Sequence, residues 1–247
     1  PRKPESKFCN RCGTRYDSVT ATSTATSSMQ PIVPAPAQRL KIGDILNSKY
    51  KISKEIGEGG MGAVYLADDQ VLKRQVVIKA LLSDDDPEMA AQSVKEREFL
   101  AAIKHASIVS IYDFLTLGTQ GYIVMEYVHG KTLDQIMEDQ GRPFAVQEAI
   151  THILGILPAF TYLARLGLVY CDFKPQNVML EVLKDGSQVV KLIDLGTVIK
   201  QEPNPTDVYG THGFYAPEAV KHPSPETDLY TLCRTLAYLV TQMDPVS

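Results

Sequence analysis

Leu168-Val169-Tyr170-Cys171-Asp172-Phe173-Lys174-Pro175-Gln176-Asn177 is the stretch on which the reading of the whole chain turns. It sets an aspartate, a lysine and an asparagine two and three residues apart, in a loop that follows an apolar helical run. Asp194 comes 17 residues after Asn177, in Ile193-Asp194-Leu195-Gly196, on a tight turn after a strand. An aspartate to accept a hydroxyl proton, a lysine to hold phosphate, and an Asn and an Asp to hold magnesium are what phosphoryl transfer from ATP requires.

The segments upstream supply matching parts. Gly57-Glu58-Gly59-Gly60-Met61-Gly62-Ala63-Val64-Tyr65 lies between two strand patterns. Glycines let a backbone turn sharply and bring N–H groups close to phosphate oxygens. No Gly-Lys-Ser/Thr follows, which excludes a P-loop, and a strand rather than a helix comes next, which excludes a dinucleotide fingerprint. Val76-Val77-Ile78-Lys79 ends an apolar strand with a lysine, and a buried ammonium needs a counter-charge. Glu96 supplies one from a helix expected over about 87–103, with Asp86 as N-cap and Pro87 at its first position. Glu98 lies roughly 200° around that helix from Glu96, toward solvent. Met125-Glu126-Tyr127-Val128 closes another apolar strand, where bare backbone N–H and C=O groups can meet an adenine edge with Met125 behind it. Each part alone has a plain structural reading: a capping Asp, a surface Lys, a Gly hairpin, a strand end. Their order, with Gly210-Thr211-His212-Gly213-Phe214-Tyr215-Ala216-Pro217-Glu218 following, excludes coincidence.

The bulk numbers agree with one or two globular domains: 247 residues, 44% hydrophobic and 22% charged. A net charge of −4 carries no nucleic-acid or membrane-surface footprint. No apolar run reaches the roughly 18–20 residues of a membrane span. The chain opens on Pro1 without a signal peptide, which reads as a piece of a longer protein. Four cysteines, Cys9, Cys12, Cys171 and Cys233, have no disulfide-framework spacing, so a reducing, cytoplasmic setting is expected.

Residues 1–18 carry Cys9-Asn10-Arg11-Cys12-Gly13, a turn that points two thiolates at one metal, zinc or iron. It is half a site, and a metal-free remnant is the other reading. Residues 19–41, rich in Ser, Thr and then Pro, form a linker, either a plain spacer or a carrier of autophosphorylation sites. Residues 42–128 are strand-rich, with runs at 50–56, 63–67, 76–80, 111–117 and 122–127. Residues 129–247 turn helical, and Val146, Ala149, Ile150, Ile153, Leu154, Leu157, Phe160, Tyr162, Leu163 and Leu166 make an apolar stripe that Pro158 should bend. The expected fold class is α+β: an antiparallel-sheet N-lobe and a helical C-lobe with a cleft between them.

These residues together resemble the eukaryotic-type serine/threonine protein kinase family, over about residues 42–247. The resemblance implies a bilobal fold, Mg-ATP (or Mn-ATP) as phosphoryl donor and protein Ser/Thr hydroxyls as acceptors. It implies that Ile56, Gly57, Gly59, Gly60, Gly62 and Val64 cover the nucleotide, that Lys79 pairs with Glu96 and the phosphates, and that Met125, Glu126 and Val128 line the adenine. Asp172 is then the catalytic base, Lys174 steadies the transferring phosphoryl, Asn177 and Asp194 hold magnesium, and Thr211 docks the substrate. Asp228, in Thr227-Asp228-Leu229-Tyr230, looks like the helix-borne Asp that braces the catalytic loop. Several runs, Gly121–Val128, Ile156–Ala159, Gly167–Tyr170, Leu192–Gly196 and Thr227–Thr231, are similar to a mycobacterial kinase group with metal knuckles before the kinase and helical repeats after it.

Three departures from the family pattern matter. Tyr170 and Cys171 stand where most members have His and Arg, and that Arg usually holds a phosphorylated activation-loop residue. Its absence implies activity that does not need phosphate on Thr197, Thr206 or Tyr209. Leu195 replaces the usual Phe of the magnesium turn. The chain ends soon after the Asp228 helix, short of the family's last helices, which leaves Glu218 without its usual Arg and implies exposed apolar C-lobe surface. Cys171 reads as filler rather than a redox switch, because neighbouring carboxylates raise a thiol's pKa. A nucleotide-binding pseudokinase scaffold is the alternative function, against which Lys79, Asp172, Asn177 and Asp194 all stand. A small-molecule kinase is a third, against which the 210–218 segment stands.

Overall fold

A computed structural model describes residues 39–59, 62–81, 98–118, 120–201, 210–220 and 222–243. Cys9, Cys12, the linker up to residue 38, Gly60, Glu96, Thr206 and Tyr209 lie outside the described residues. The chain divides into two compact units, Pro1–Glu98 with Tyr112–Val124, and Phe99–Ile111 with Met125–Ser247.

The first unit is a sheet lobe. Its strands are β1 (Ile45–Leu46), β2 (Tyr50–Gly59), β3 (Gly62–Asp69), β4 (Arg74–Ala80), β5 (Ile111–Leu117) and β6 (Gln120–Glu126), in the order β1-β2-β3-β4-β6-β5. The pairs β1–β2, β2–β3 and β3–β4 are antiparallel. Strand β3 shows why: Ala63, Tyr65, Ala67 and Asp69 are buried and the residues between them are not, the two-residue period of a half-covered sheet. Tyr50, Ile52, Tyr65, Val76, Ile78, Tyr122 and Val124 fill the core of this lobe. The Asp69 carboxylate closes the β3–β4 turn by accepting the N–H groups of Val71 (3.0 Å) and Leu72 (2.9 Å).

The expected helix over 87–103 is described only at its end, where Glu98–Ala102 is a 3-10 turn rather than α-helix. The Ile103 N–H bonds the Leu100 carbonyl at 3.2 Å, the three-residue spacing to which helix ends commonly tighten.

The second unit is the helical lobe, with three α-helices among the described residues. They are α1 (Leu133–Gln140), α2 (Val146–Arg165) and α3 (Pro225–Thr241). Short strands β7 (Gly130–Thr132), β9 (Val178–Val182) and β10 (Gln188–Leu192) form a sheet in the order β10-β9-β7, and β8 (Leu168–Val169) pairs with β11 (Ile199–Lys200). Thr132 and Gln135 cap α1 reciprocally, and Gly141 ends it in the left-handed conformation. Helix α2 continues through Pro158. Its buried face is Ala149, His152, Ile153, Ile156, Ala159, Phe160 and Leu163. Val146, Leu154 and Leu166, assigned to the apolar stripe from sequence, are exposed. The stripe was drawn too wide: a single 3.6-residue face passes through His152, which hydrophobicity alone would leave out. Of α3, Thr227, Asp228, Thr231, Leu232, Thr235 and Leu239 are buried, while Leu229 and Tyr230 are exposed. No helix of the described residues is long and apolar enough to cross a membrane.

His152 packs edge-on against Phe144, ring centroids 5.3 Å apart, and its Nε2 finds no hydrogen-bond partner among the described residues. Burial pulls its pKa below the ordinary value, against a weaker opposing pull from Glu148. As pH falls through about 6.5, the unfolded chain gains a proton that the folded imidazole refuses, so stability drops with acid and is restored as pH rises. The unfolding free energy should therefore rise between about pH 5 and pH 7, and more steeply in the wild-type than in His152→Leu. Denaturant titrations at both pH values give the difference, and equal slopes in the two proteins would remove His152 from the account.

Candidate active site

In the sheet lobe, Gly57 on β2 and Lys79 on β4 both lie opposite Val64 on β3, so three of the expected nucleotide residues form one row across the sheet. Ile56 falls in a register shift between Glu55 and Gly57, and its side chain is exposed. Gly59 and Gly62 close the hairpin as the last pair. Gly62 has φ +135°, and a Cβ there would meet the Ala80 carbonyl oxygen at 3.0 Å, so backbone and space both demand glycine. Lys79 is buried, with 7% of its surface exposed.

The helical lobe gathers the rest. Helix α2 carries Phe160, whose ring packs edge-on against Tyr170 and Phe173 at 5.6 and 5.2 Å, which seats the loop that follows β8. In that loop the Asp172 carboxylate is held from three directions. Its Oδ1 accepts the Thr211 N–H at 2.8 Å. Its Oδ2 meets Lys174 Nζ at 2.8 Å and accepts from Asn177 Nδ2 at 3.1 Å. Asn177 Nδ2 also donates to the Asp172 carbonyl at 2.8 Å, and Lys174 Nζ donates to Thr211 Oγ1 at 2.5 Å. Asp172, Lys174, Asn177 and Thr211 are thus one connected group, drawn from residues 39 apart in sequence at the widest.

Asp194 follows β10. Its Oδ1 accepts the Gly196 N–H at 2.9 Å, which fixes the turn, and the neighbouring Ile193 N–H donates to the Asn177 carbonyl at 3.0 Å. A carboxylate and an amide oxygen are hard oxygen donors of the kind magnesium takes, so these two residues fit that ion. Among the described residues no cluster of three His, Cys, Asp or Glu forms a metal site.

Beneath the loop lies a further, buried carboxylate. Asp228 on α3 accepts the N–H of Tyr170 (2.8 Å) and of Cys171 (2.9 Å) through separate oxygens. Burial raises its pKa, to about 6, against the two N–H bonds that lower it. Cys171 has φ +69°, a left-handed backbone unusual for a residue with a side chain. Burial, and then the Asp228 and Asp172 charges, push its thiol far above the ordinary range, so it stays a thiol. Thr197, one of the three candidate phosphorylation residues, is buried, and its hydroxyl donates to the Tyr170 carbonyl at 3.0 Å. Glu218, expected to need a partner if buried, is exposed.

Sequence reasoning missed the support of the strand end at Met125–Val128. Met125 and Val128 are buried. The Glu126 N–H donates to the Ser110 carbonyl at 2.9 Å, and its carboxylate accepts the Ser110 N–H at 3.0 Å. The same carboxylate pairs with Lys191 on β10, which also meets Glu181 on β9 at 3.2 Å. Lys191 stands three residues before Asp194 among alternately buried strand positions, and that alternation was the available signal.

Comparison with known proteins agrees with this geometry. The protein kinase domain matches residues 50–247. A serine/threonine-protein kinase PknG from Mycolicibacterium smegmatis is 41% identical over 98% of this chain, and the PknG of Mycobacterium leprae is 39% identical over 98%. A probable serine/threonine-protein kinase of Clostridium acetobutylicum is 33% identical over 80%. The chain spans about a third of the length of these relatives, 32%, 34% and 29% respectively. With a matching domain over most of its length and the two lobes in place, the chain belongs to the protein kinase domain family.

Proposed function

We propose that the protein carrying this chain is a serine/threonine kinase that moves the γ-phosphoryl group of ATP to protein hydroxyls, with no phosphate needed on its activation segment. The observation that carries the reading is the Asp172 carboxylate, aimed by Lys174, Asn177 and the Thr211 N–H together. A carboxylate fixed in this way offers an acceptor to a substrate hydroxyl without having to reorganise. As the hydroxyl oxygen bonds to phosphorus, the bond from phosphorus to the β-phosphate oxygen breaks, ADP leaves, and the hydroxyl proton passes to Asp172. Lys174, bridging Asp172 and Thr211, lies where a cation offsets charge on the transferring group. Asn177 and Asp194 would hold magnesium, which would supply positive charge to offset that of the phosphates. In the sheet lobe the Gly57–Val64–Lys79 row would meet the phosphates, and Glu96 would be the partner of Lys79. Glu126 and Val128 would present backbone groups to the adenine.

Independence from activation-segment phosphate rests on two observations. Cys171, buried and uncharged, occupies the position from which an arginine would reach a phosphate. Thr197 is buried with its hydroxyl engaged, which leaves a kinase no way to reach it in this conformation. Cys9 and Cys12 belong to the proposal as two thiolates of a zinc or iron knuckle.

Three outcomes follow. Labelled Mg-ATP should phosphorylate a generic Ser/Thr substrate, and Asp172→Asn should lower transfer by at least about 10²-fold while Mg-ATP still raises the melting temperature. No transfer by wild-type, with the Mg-ATP shift intact, would identify a nucleotide-binding scaffold instead. Phosphatase-treated enzyme, checked by mass spectrometry, should keep its rate to within about two-fold, and a rate restored only by rephosphorylation would defeat the phosphate-independent reading. Elemental analysis of the purified protein should find zinc or iron that is lost in a Cys9→Ser, Cys12→Ser variant. A metal-free wild-type would reduce the pair to a remnant.

A further inference from the structure

Helix α3 grips two loops from neighbouring positions. Asp228 holds the catalytic loop through Tyr170 and Cys171, and Thr235 holds it again by donating to the Phe173 carbonyl at 2.9 Å. Arg234 and Tyr238 reach a different segment. Arg234 Nε donates to the Gly213 carbonyl at 3.0 Å, and the Tyr238 ring meets Phe214 edge-on at 5.6 Å. The turn they touch is closed by the Phe214 N–H on the Thr211 carbonyl at 3.0 Å. Gly213 has φ +90°, a conformation that favours glycine. At its other end the turn delivers Thr211 to Asp172 and Lys174. The same short turn is therefore tied to the reacting groups at residue 211 and to α3 at residues 213 and 214.

We propose that Arg234 is a positioning residue for the protein substrate. It fixes from α3 the turn that sets Thr211 against Asp172 and Lys174, in place of a phosphate on the activation segment. The proposal deepens the phosphate-independent kinase reading and rests on it. A guanidinium suits the task because it is charged at every working pH, donates only, and has a planar, rigid geometry. Its acceptor is a backbone carbonyl, so the anchor is permanent and needs no modifying enzyme. The residue it holds, Thr211, lies on the substrate side of Asp172, so loosening the anchor should show in substrate handling and leave nucleotide handling alone.

The test uses the full-length protein with Arg234→Met and Arg234→Lys. Steady-state rates against a Ser/Thr peptide and against ATP are read separately, together with anisotropy of a labelled peptide and the melting temperature. Arg234→Met should lower kcat/KM for the peptide, and weaken peptide binding, by about ten-fold, the size expected for one charge-assisted hydrogen bond. KM for ATP should not move. Arg234→Lys should recover part of the loss, since an ammonium can still donate to a carbonyl. Unchanged peptide parameters in Arg234→Met would overturn the proposal. So would equal losses for peptide and ATP accompanied by a lower melting temperature, because they would mark Arg234 as a fold-stabilising residue only. Anisotropy separates the two readings: a protein without turnover ends the kinase reading, and peptide binding still judges Arg234. A wild-type that needs phosphate for activity ends the phosphate-independent reading while the peptide-against-ATP split stands.

Discussion

Two backbone N–H groups, those of Tyr170 and Cys171, point into the protein interior at the bend that carries Asp172, and the Asp228 carboxylate receives both. A buried carboxylate is costly unless it is well hydrogen-bonded, and a buried N–H left bare costs about 1–3 kcal/mol. Each side of this arrangement answers the need of the other. The cost of burial shows in the raised pKa of Asp228, about 6. The bond at Cys171 also offsets the left-handed backbone there, a conformation that costs on the order of 1–3 kcal/mol in residues other than glycine. This one carboxylate satisfies both buried N–H groups at the bend that carries Asp172.

The rest of the site is built by the same means, with main-chain groups held by side chains from other elements. Tyr170 contributes bulk to the Phe160–Phe173 nest, and its hydroxyl finds no hydrogen-bond partner among the described residues. Thr197 and Thr235 tie down the carbonyls of Tyr170 and Phe173. At the end of β6, Glu126 is fixed by Ser110 on its N–H and on its carboxylate, and by Lys191 from the strand that leads to Asp194. Burial pulls Lys191 toward neutrality, but Glu126 and Glu181 outweigh it and keep the ammonium charged. Rigid placement matters because misplacement by about 1 Å can cost 10²-fold in rate.

The fold class was legible because it is written in local pattern. Short apolar runs marked β3 and β4, glycine spacing marked the β2–β3 hairpin, and an apolar stripe marked α2. The buried face of α2 was drawn too wide and left out His152, an apolar-facing residue that hydrophobicity ranks as polar. Residue types and order marked Asp172, Lys174, Asn177 and Asp194, while Thr211 and the bracing Asp228 came from the family resemblance. The tie between Glu126 and Lys191 was not legible, since 65 residues separate them and nothing local to either names the other. The bond from Arg234 to Gly213 was hidden for the same reason: a side chain that ends on a backbone carbonyl leaves no mark on the identity of its acceptor.

The separation in sequence between loop and anchor has a consequence in time. Asp228 lies 58 residues after Tyr170, and Thr235 lies 62 after Phe173. During synthesis the catalytic loop therefore emerges well before the helix that gives it shape. At about 5–20 residues per second the interval lasts several seconds, in which the nascent chain displays Asp172, Lys174 and Asn177 without their geometry. Such a chain carries these groups without the anchors that place them, so the loop takes its shape only once the helix has left the ribosome and docked.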